Sequence, residues 1–272
     1  MLSECEYIVN ADDLAMTPGA NSAIFDAFDR GRLTHTSIMA NGDYFDEAVE
    51  GLRQRPGLGV GVHLNLSYGR ALERHRELTD GSGVLKHGFV ALLARTLKWD
   101  MRLMEEVEKE FRAQIERVLE SGFCVTHLDS HRHVHMIPAL YTLVVKLAAE
   151  YGIGRVRLIR ESFLHSVKLN GRLNFIANGG IVKYLLLRTL ALYNGARADL
   201  SGGKEFFSIL YTGAVPRHVV DRIVTGNLAY EVMTHPSHPD KDTGVTFYDP
   251  AEKAYRISKE RQDEWEALLY ER

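Results

Sequence analysis

Cysteine is nearly absent: Cys5 and Cys124 are the two among 272 residues. Two thiols cannot build the disulfide framework of a small secreted scaffold. Each opens an apolar segment, so both are expected to be small buried hydrophobes in a reducing cytoplasm. Long hydrophobic runs are also missing. The most apolar stretch, Ile181 to Tyr193, is broken by Lys183 and Arg188 and is too short to span a bilayer. An amphipathic core helix is the expectation there. No basic n-region with an apolar run opens the chain, so no signal peptide is expected. Neither sign of charge dominates. The net charge of −3 gives no reason to expect a nucleic-acid or membrane partner. Repeats, low-complexity tracts and linker-like segments are lacking too, so residues 1–272 are expected to form a single domain. An apolar share of 45% and a charged share of 25% suit a globular chain with a real core.

Histidine is what the chain has in excess. There are 12, and His127, His131, His133 and His135 crowd around Asp129 between Thr126 and Pro138. Neutral imidazole is the commonest metal ligand and the usual proton shuttle near neutral pH. Such crowding calls for a second set of groups to meet it.

Periodicity supplies the frame. Apolar strands are expected at Tyr7–Ala11, Thr34–Ala40, Leu58–Leu66, Phe123–Leu128, Val156–Arg160, Phe206–Leu210 and Leu228–Met233. Helices are expected between them. One begins at Thr17-Pro18, an N-cap followed by proline at the first helical position, and ends at Gly31. Others cover Phe45–Leu52, Met101–Leu119, Pro138–Tyr151, Pro216–Thr225 and Ile257–Tyr270, the last with Ser258 as a cap. Ser67–Asp100 reads as a long excursion with some helix at Phe89–Leu97, and such excursions often form lids or binding loops. Residues 162–203 read as mostly helical. Strands alternating with helices argue for α/β architecture with a parallel sheet, doubly wound or closed into a barrel.

The conspicuous polar residues fall at the C-terminal ends of these strands: Asp12 and Asp13, Asn41, His63 and Asn65, Asp129 and His131, Arg160 and Glu161, and His235. In a parallel barrel those ends share the face where active sites form. Taken alone, each has a bland account. Asp12-Asp13 suits a solvated loop, His63 or His127 a satisfied core histidine, and Arg157 and Arg160 ordinary salt bridges. His235-Pro236 and His238-Pro239 suit turns. Together they suit a hydrolytic divalent metal held by two imidazoles and one carboxylate. The candidates are Asp13 or Asp12, His63, and one or two of His131, His133 and His135. Such an ion activates water and polarises a carbonyl. The second carboxylate of the aspartate pair is free to accept a proton, and His235 to supply one.

Four motifs carry a family resemblance: Asn10-Ala11-Asp12-Asp13, Gly61-Val62-His63-Leu64-Asn65-Leu66, Thr126-His127-Leu128-Asp129-Ser130-His131-Arg132-His133-Val134-His135, and His235-Pro236-Ser237-His238. In this order the chain resembles the YdjC-like carbohydrate deacetylases, which include chitooligosaccharide deacetylases. The resemblance implies a distorted parallel (β/α) TIM-like barrel related to the polysaccharide deacetylases. It implies a metal triad of Asp13, His63 and His131, a general base at Asp12 and an acid at His235. It further implies a homodimer that hydrolyses the N-acetyl group of an amino sugar or short oligosaccharide, with one divalent ion. Ligand softness favours Zn²⁺ over Mg²⁺, with Co²⁺, Mn²⁺ or Ni²⁺ also able to serve. Asp129 or Glu161 is expected to orient a histidine or the base. The family usually has an aromatic residue and then glycine after Asp-Asp; here Leu14-Ala15 stand there. Its glycine after His-Pro is Ser237 here.

Two rival readings remain. Barrel amidohydrolases or phosphoesterases usually carry a His-x-His pair on the first strand, where this chain has Asp12-Asp13. A non-catalytic metal- or sugar-binding protein would not need the acid–base candidates beside the ligands.

Overall fold

The computed structural model describes residues 6–171 and 180–270. Six parallel strands form one curled sheet in the order β4-β3-β2-β1-β6-β5. They are β1 (Ile8–Leu14), β2 (His35–Ile38), β3 (Gly59–Leu64), β4 (Val125–Ser130), β5 (Glu205–Phe207) and β6 (Tyr230–Thr234). Helices α1 (Pro18–Arg30), α2 (Phe45–Arg53), α3 (Phe89–Leu97), α4 (Met101–Glu120), α5 (Pro138–Glu150), α6 (Phe163–Asn170), α7 (Gly180–Gly195) and α8 (Arg217–Thr225) flank it, followed by α9 (Pro250–Arg256) and α10 (Lys259–Leu268). Val9, Ile38, Val62, Leu128 and Val232 of the strands share one apolar core with Ile24, Phe111, Leu147 and Val220 of the helices.

The barrel is incomplete where a fifth strand is expected. Val156–Arg160 makes only a parallel bridge between Val156 and Leu128. Its backbone still spans the gap between the edge strands: Arg157 N donates to Leu128 O at 2.9 Å, and Phe206 N to Arg160 O at 3.0 Å. The segment cannot run as a regular ladder because Arg160 N turns back to Leu158 O at 2.8 Å. Likewise β5 stops at Phe207, short of the expected Leu210. Ser208 takes a positive φ of 109°. The N–H groups of Ser208, Ile209 and Leu210 donate to the Glu161 carboxylate at 3.4, 2.8 and 3.2 Å.

The N-terminal half follows its sequence signals closely. Thr17 caps α1, its Oγ1 accepting from Ala20 N at 3.1 Å. On α4, Val107, Phe111, Ile115 and Val118, spaced three or four residues apart, are buried along one face. The excursion after β3 is pinned to that same helix. Glu110 accepts the N–H groups of Leu72 and Glu73 at 3.0 and 3.1 Å. Glu106 accepts those of Arg76, Glu77 and Leu78 at 2.9, 2.8 and 3.0 Å.

Three further expectations need correction. Cys124 is exposed, because β4 begins one residue after it; Cys5 lies outside the described residues. The C-terminal helix is shorter than expected, and the Ser258 side chain makes no capping bond. Helix α7 is only partly a core helix: Tyr184, Leu187 and Ala191 are buried, but Val182 and Leu192 are 72% and 66% exposed. Part of 162–203, residues 172–179, lies outside the described residues. Among the described residues no helix is long and apolar enough to cross a membrane.

Candidate active site

Parallel strands put their C-terminal ends on one face, and the polar residues meet there. Asp12, Asp13, His63, His131, His133 and His235 line a single cavity of about 130 Å³. Asp12 and Asp13 lie not beyond the strand, whose expected end is Ala11, but within β1, which runs on to Leu14. A register shift against β2 between Ala11 and Leu14, with Asp13 at φ 68°, turns the two adjacent carboxylates in different directions. Ala15 follows at φ 78°, in the left-handed region that glycine occupies without strain. That is the position at which the resembling family usually has glycine.

Asp13 is the hub. Its Oδ1 lies 3.1 Å from His63 Nε2 and 2.8 Å from His131 Nδ1. Its Oδ2 takes the Arg256 guanidinium, and His235 Nε2 stands 3.9 Å away. Burial opposes its ionisation, but Arg256 and His131 outweigh that and hold the carboxyl well below the usual range. His63 is fixed from behind by Asp129, Nδ1 to Oδ1 at 2.7 Å. Burial works against a charged His63, yet Asp129 and Asp13 raise it to about 10.

Asp12 faces a different group. Arg157, fully buried, grips it bidentately at 2.7 and 2.8 Å and reaches Asp129 at 2.8 Å and Glu231 at 2.6 Å. Asn10 Nδ2 adds a bond to Asp12 Oδ1 at 2.8 Å. Oδ1 thus accepts two bonds and Oδ2 one, which leaves Oδ2 a lone pair. Burial pushes Asp12 above the ordinary carboxylate value, against the pull of Arg157.

The histidine run divides by backbone geometry. Arg132 and His133 both take left-handed φ, 51° and 56°. This double kink brings His131 and His133 into the cavity and leaves His135 beneath it. His135 is structural: Nδ1 pairs with Ser130 Oγ at 2.5 Å and Nε2 with Arg157 O at 3.0 Å. His127 is a core histidine beside Thr126, with Nδ1 2.8 Å from Oγ1. Burial lowers His127, His133, His135 and His235, so these stay neutral; Arg261 and Arg256 lower His235 further.

Asp13, His63 and His131 fit a divalent cation: all are buried, and each offers an atom within 4.8 Å of the others. His131 Nε2 has no hydrogen-bond partner among the described residues. A second convergent set, Asp12, His63 and Asp129, fits less well, because both carboxylates are already committed to the Arg157 guanidinium.

Asn41 and Asn65 are strand-end residues that do not reach the cavity. Both donate to Tyr68 O, at 3.1 and 2.6 Å, and Asn65 Oδ1 accepts from Ser67 N and Tyr68 N. They shape the loop that sets the Tyr68 ring 5.9 Å from the His131 ring. Arg160 pairs with Asp199 at the surface, the ordinary salt bridge expected. Glu161 orients no histidine; it binds the backbone after β5.

Sequence reasoning missed α9, which brings Glu252, Tyr255 and Arg256 to the cavity. The signal was Asp249-Pro250, a cap and a first-turn proline. Asp249 Oδ1 does accept from Ala251 N at 2.9 Å. Exchanging Arg256 for lysine loses the planar fork beside Asp13. This is expected to weaken metal retention about 10–100-fold, as with other hydrogen-bond partners of ligands. Titration against a competing chelator reads it, and an unchanged affinity would show that Asp13 does not depend on Arg256.

Residues 6–272 match the family model described as YdjC-like protein. A carbohydrate deacetylase of Listeria innocua serovar 6a is 34% identical over 87% of this chain and 83% of its own. A chitooligosaccharide deacetylase of Escherichia fergusonii is 34% identical over 61% of this chain and 64% of its own. In fold, the chain is similar to a crystal structure from Enterococcus faecalis V583 described as a candidate cellobiose-phosphate cleavage protein. That likeness has a TM-score of 0.63, 22% identity, and coverage of 97% of this chain and 96% of that one.

Proposed function

Since the chain belongs to the YdjC-like family, we propose that it is a metal-dependent carbohydrate N-deacetylase, cleaving the acetamide of an N-acetylated amino sugar or short oligosaccharide. The observation that carries this reading is the meeting of Asp12, Asp13, His63, His131 and His235 in one cavity. Asp13, His63 and His131 hold the cation. When bound, it supplies Lewis-acid polarisation of the acetamide carbonyl and lowers the pKa of the attacking water. Two imidazoles favour Zn²⁺ over Mg²⁺.

Asp12 is the base. Its free Oδ2 lone pair takes a proton from water as the water oxygen bonds to the carbonyl carbon, and Arg157 holds the carboxylate in place. Asp129 fixes the His63 ring so that Nε2 faces Asp13. His235 gives a proton to the departing nitrogen as the C–N bond breaks, leaving acetate and a free amine. Its imidazole is neutral at rest, so the proton it delivers is the one that Asp12 removed from the water, passed on to His235 before the C–N bond breaks.

The whole chain acts as one unit. The exposed apolar face of α7, with Val182, Leu185 and Leu192, supports a homodimer. The free Cys124 thiol suits the reducing cytoplasm.

Acetate release from N-acetylglucosamine oligomers tests the reaction. Metal-stripped protein is expected to release none, and Zn²⁺, Co²⁺ or Mg²⁺ to restore turnover. No release with any ion, on protein that binds the metal, would overturn the proposal.

A further inference from the structure

Lys183 lies outside every strand-end motif, on α7, yet it lines the same cavity as Asp12, Asp13 and His235. Three cationic side chains line that cavity. Arg132 is paired with Asp249 and Glu252, and Arg256 with Asp13 and Glu252. Lys183 has no ion-pair partner among the described residues. Its one hydrogen bond there runs from Nζ to Thr212 Oγ1 at 3.1 Å. An ammonium has three donors, so two are left over.

The side chain is held in place. Thr212 Oγ1 directs its own proton to the carbonyls of Ser208 and Ile209, each at 2.9 Å, and so receives Lys183 as an acceptor. The Glu161 carboxylate fixes that turn through the N–H groups of residues 208–210. Next to Lys183, Tyr184 OH donates to Glu161 O at 3.3 Å, and one turn on, Arg188 Nη1 donates to the same oxygen at 2.8 Å. Both ends of the contact are thus fastened to one segment. Burial draws the amine down to about 8, while Glu161 and Asp12 support its charge from a distance. Its spare N–H donors can be taken by the neutral oxygens of a hydroxylated ligand.

We propose that Lys183 is a substrate-positioning residue, whose two spare N–H donors bind hydroxyl or ring oxygens of the sugar bearing the acetamide. This rests on the deacetylase reading. The ion-binding residues and Asp12 act on the acetamide; Lys183, which lines the same cavity from α7, fixes the sugar relative to them.

The test uses the full-length, metal-loaded enzyme and the N-acetylglucosamine dimer. A charge-assisted hydrogen bond sets the expected scale. K183M is expected to raise KM for acetate release, and the calorimetric Kd for the same dimer, by about 10–100-fold. kcat should fall less, and metal content and melting temperature should stay at wild-type values. K183R, which keeps charge and donors, is expected to recover part of the affinity. Unchanged KM and Kd in K183M would overturn the assignment, as would a K183M protein that loses its metal or its melting temperature. Wild-type enzyme that neither binds nor deacetylates the dimer would instead overturn the deacetylase reading and the assignment with it.

Discussion

Arg157→Met is expected to cost about 3–5 kcal/mol of folding stability, the range for breaking a buried ion pair from one side. At roughly 2–4 °C per kcal/mol for chains of this size, the melting temperature falls by on the order of 10 °C. The guanidinium is fully buried and is the common partner of Asp12, Asp129 and Glu231. Methionine fills much of its volume but leaves three carboxylates facing one another without water. The pH dependence has a defined sign. Burial alone would raise Asp129 and Glu231, but Arg157 helps hold both below their ordinary values, with His63 beside Asp129 and Arg155 beside Glu231. Groups depressed in the folded state stabilise it above their unfolded pKa of about 4, and that contribution fades as pH falls through the folded values. The gap between wild type and variant should therefore be widest near neutral pH and shrink in acid. Thermal melts from pH 8 down to about pH 2 read this, since the loss falls below the unfolded pKa of about 4; a melting temperature within about 2 °C of wild type at pH 7 would contradict it.

The second large effect separates binding from chemistry. His63→Ala removes an imidazole fixed between Asp129 and Asp13. It is expected to abolish both metal stoichiometry after dialysis and acetate release. Asp12→Asn keeps Asp13, His63 and His131 intact. It should retain metal while turnover falls by about 10²–10⁴-fold, the usual weight of a general base. Metal analysis beside initial rates distinguishes the two, and equal metal loss in both variants would overturn the division of roles between Asp12 and Asp13.

Much of this site was legible because its parts are local. Thr17-Pro18 announces α1, which places Asp12 and Asp13 at the end of the strand before it. His63 follows an apolar run, and the histidine cluster follows another. What was not legible depends on partners far apart in the chain. Arg157 sits 145 residues from Asp12, so in sequence it suggests an ordinary salt bridge with no partner named. The strand expected around it does not form because its backbone turns back on itself, Arg160 N donating to Leu158 O at 2.8 Å. Helix α9 escaped notice because Lys253, Glu252 and Arg256 read as a solvated face. Two of them instead turn inward, where Asp13, His131 and Arg132 await them.

The excursion after β3 looks in sequence like a lid, yet five of its amides end on the two carboxylates of Glu106 and Glu110. A segment so fastened cannot swing without giving up several charge-assisted bonds at once. It is a wall rather than a door. Tyr68, at the start of this segment with its ring 5.9 Å from that of His131, is therefore set before any ligand arrives, so that little ordering entropy opposes contact there. A ligand reaching that ring meets a standing shape, not one it must induce.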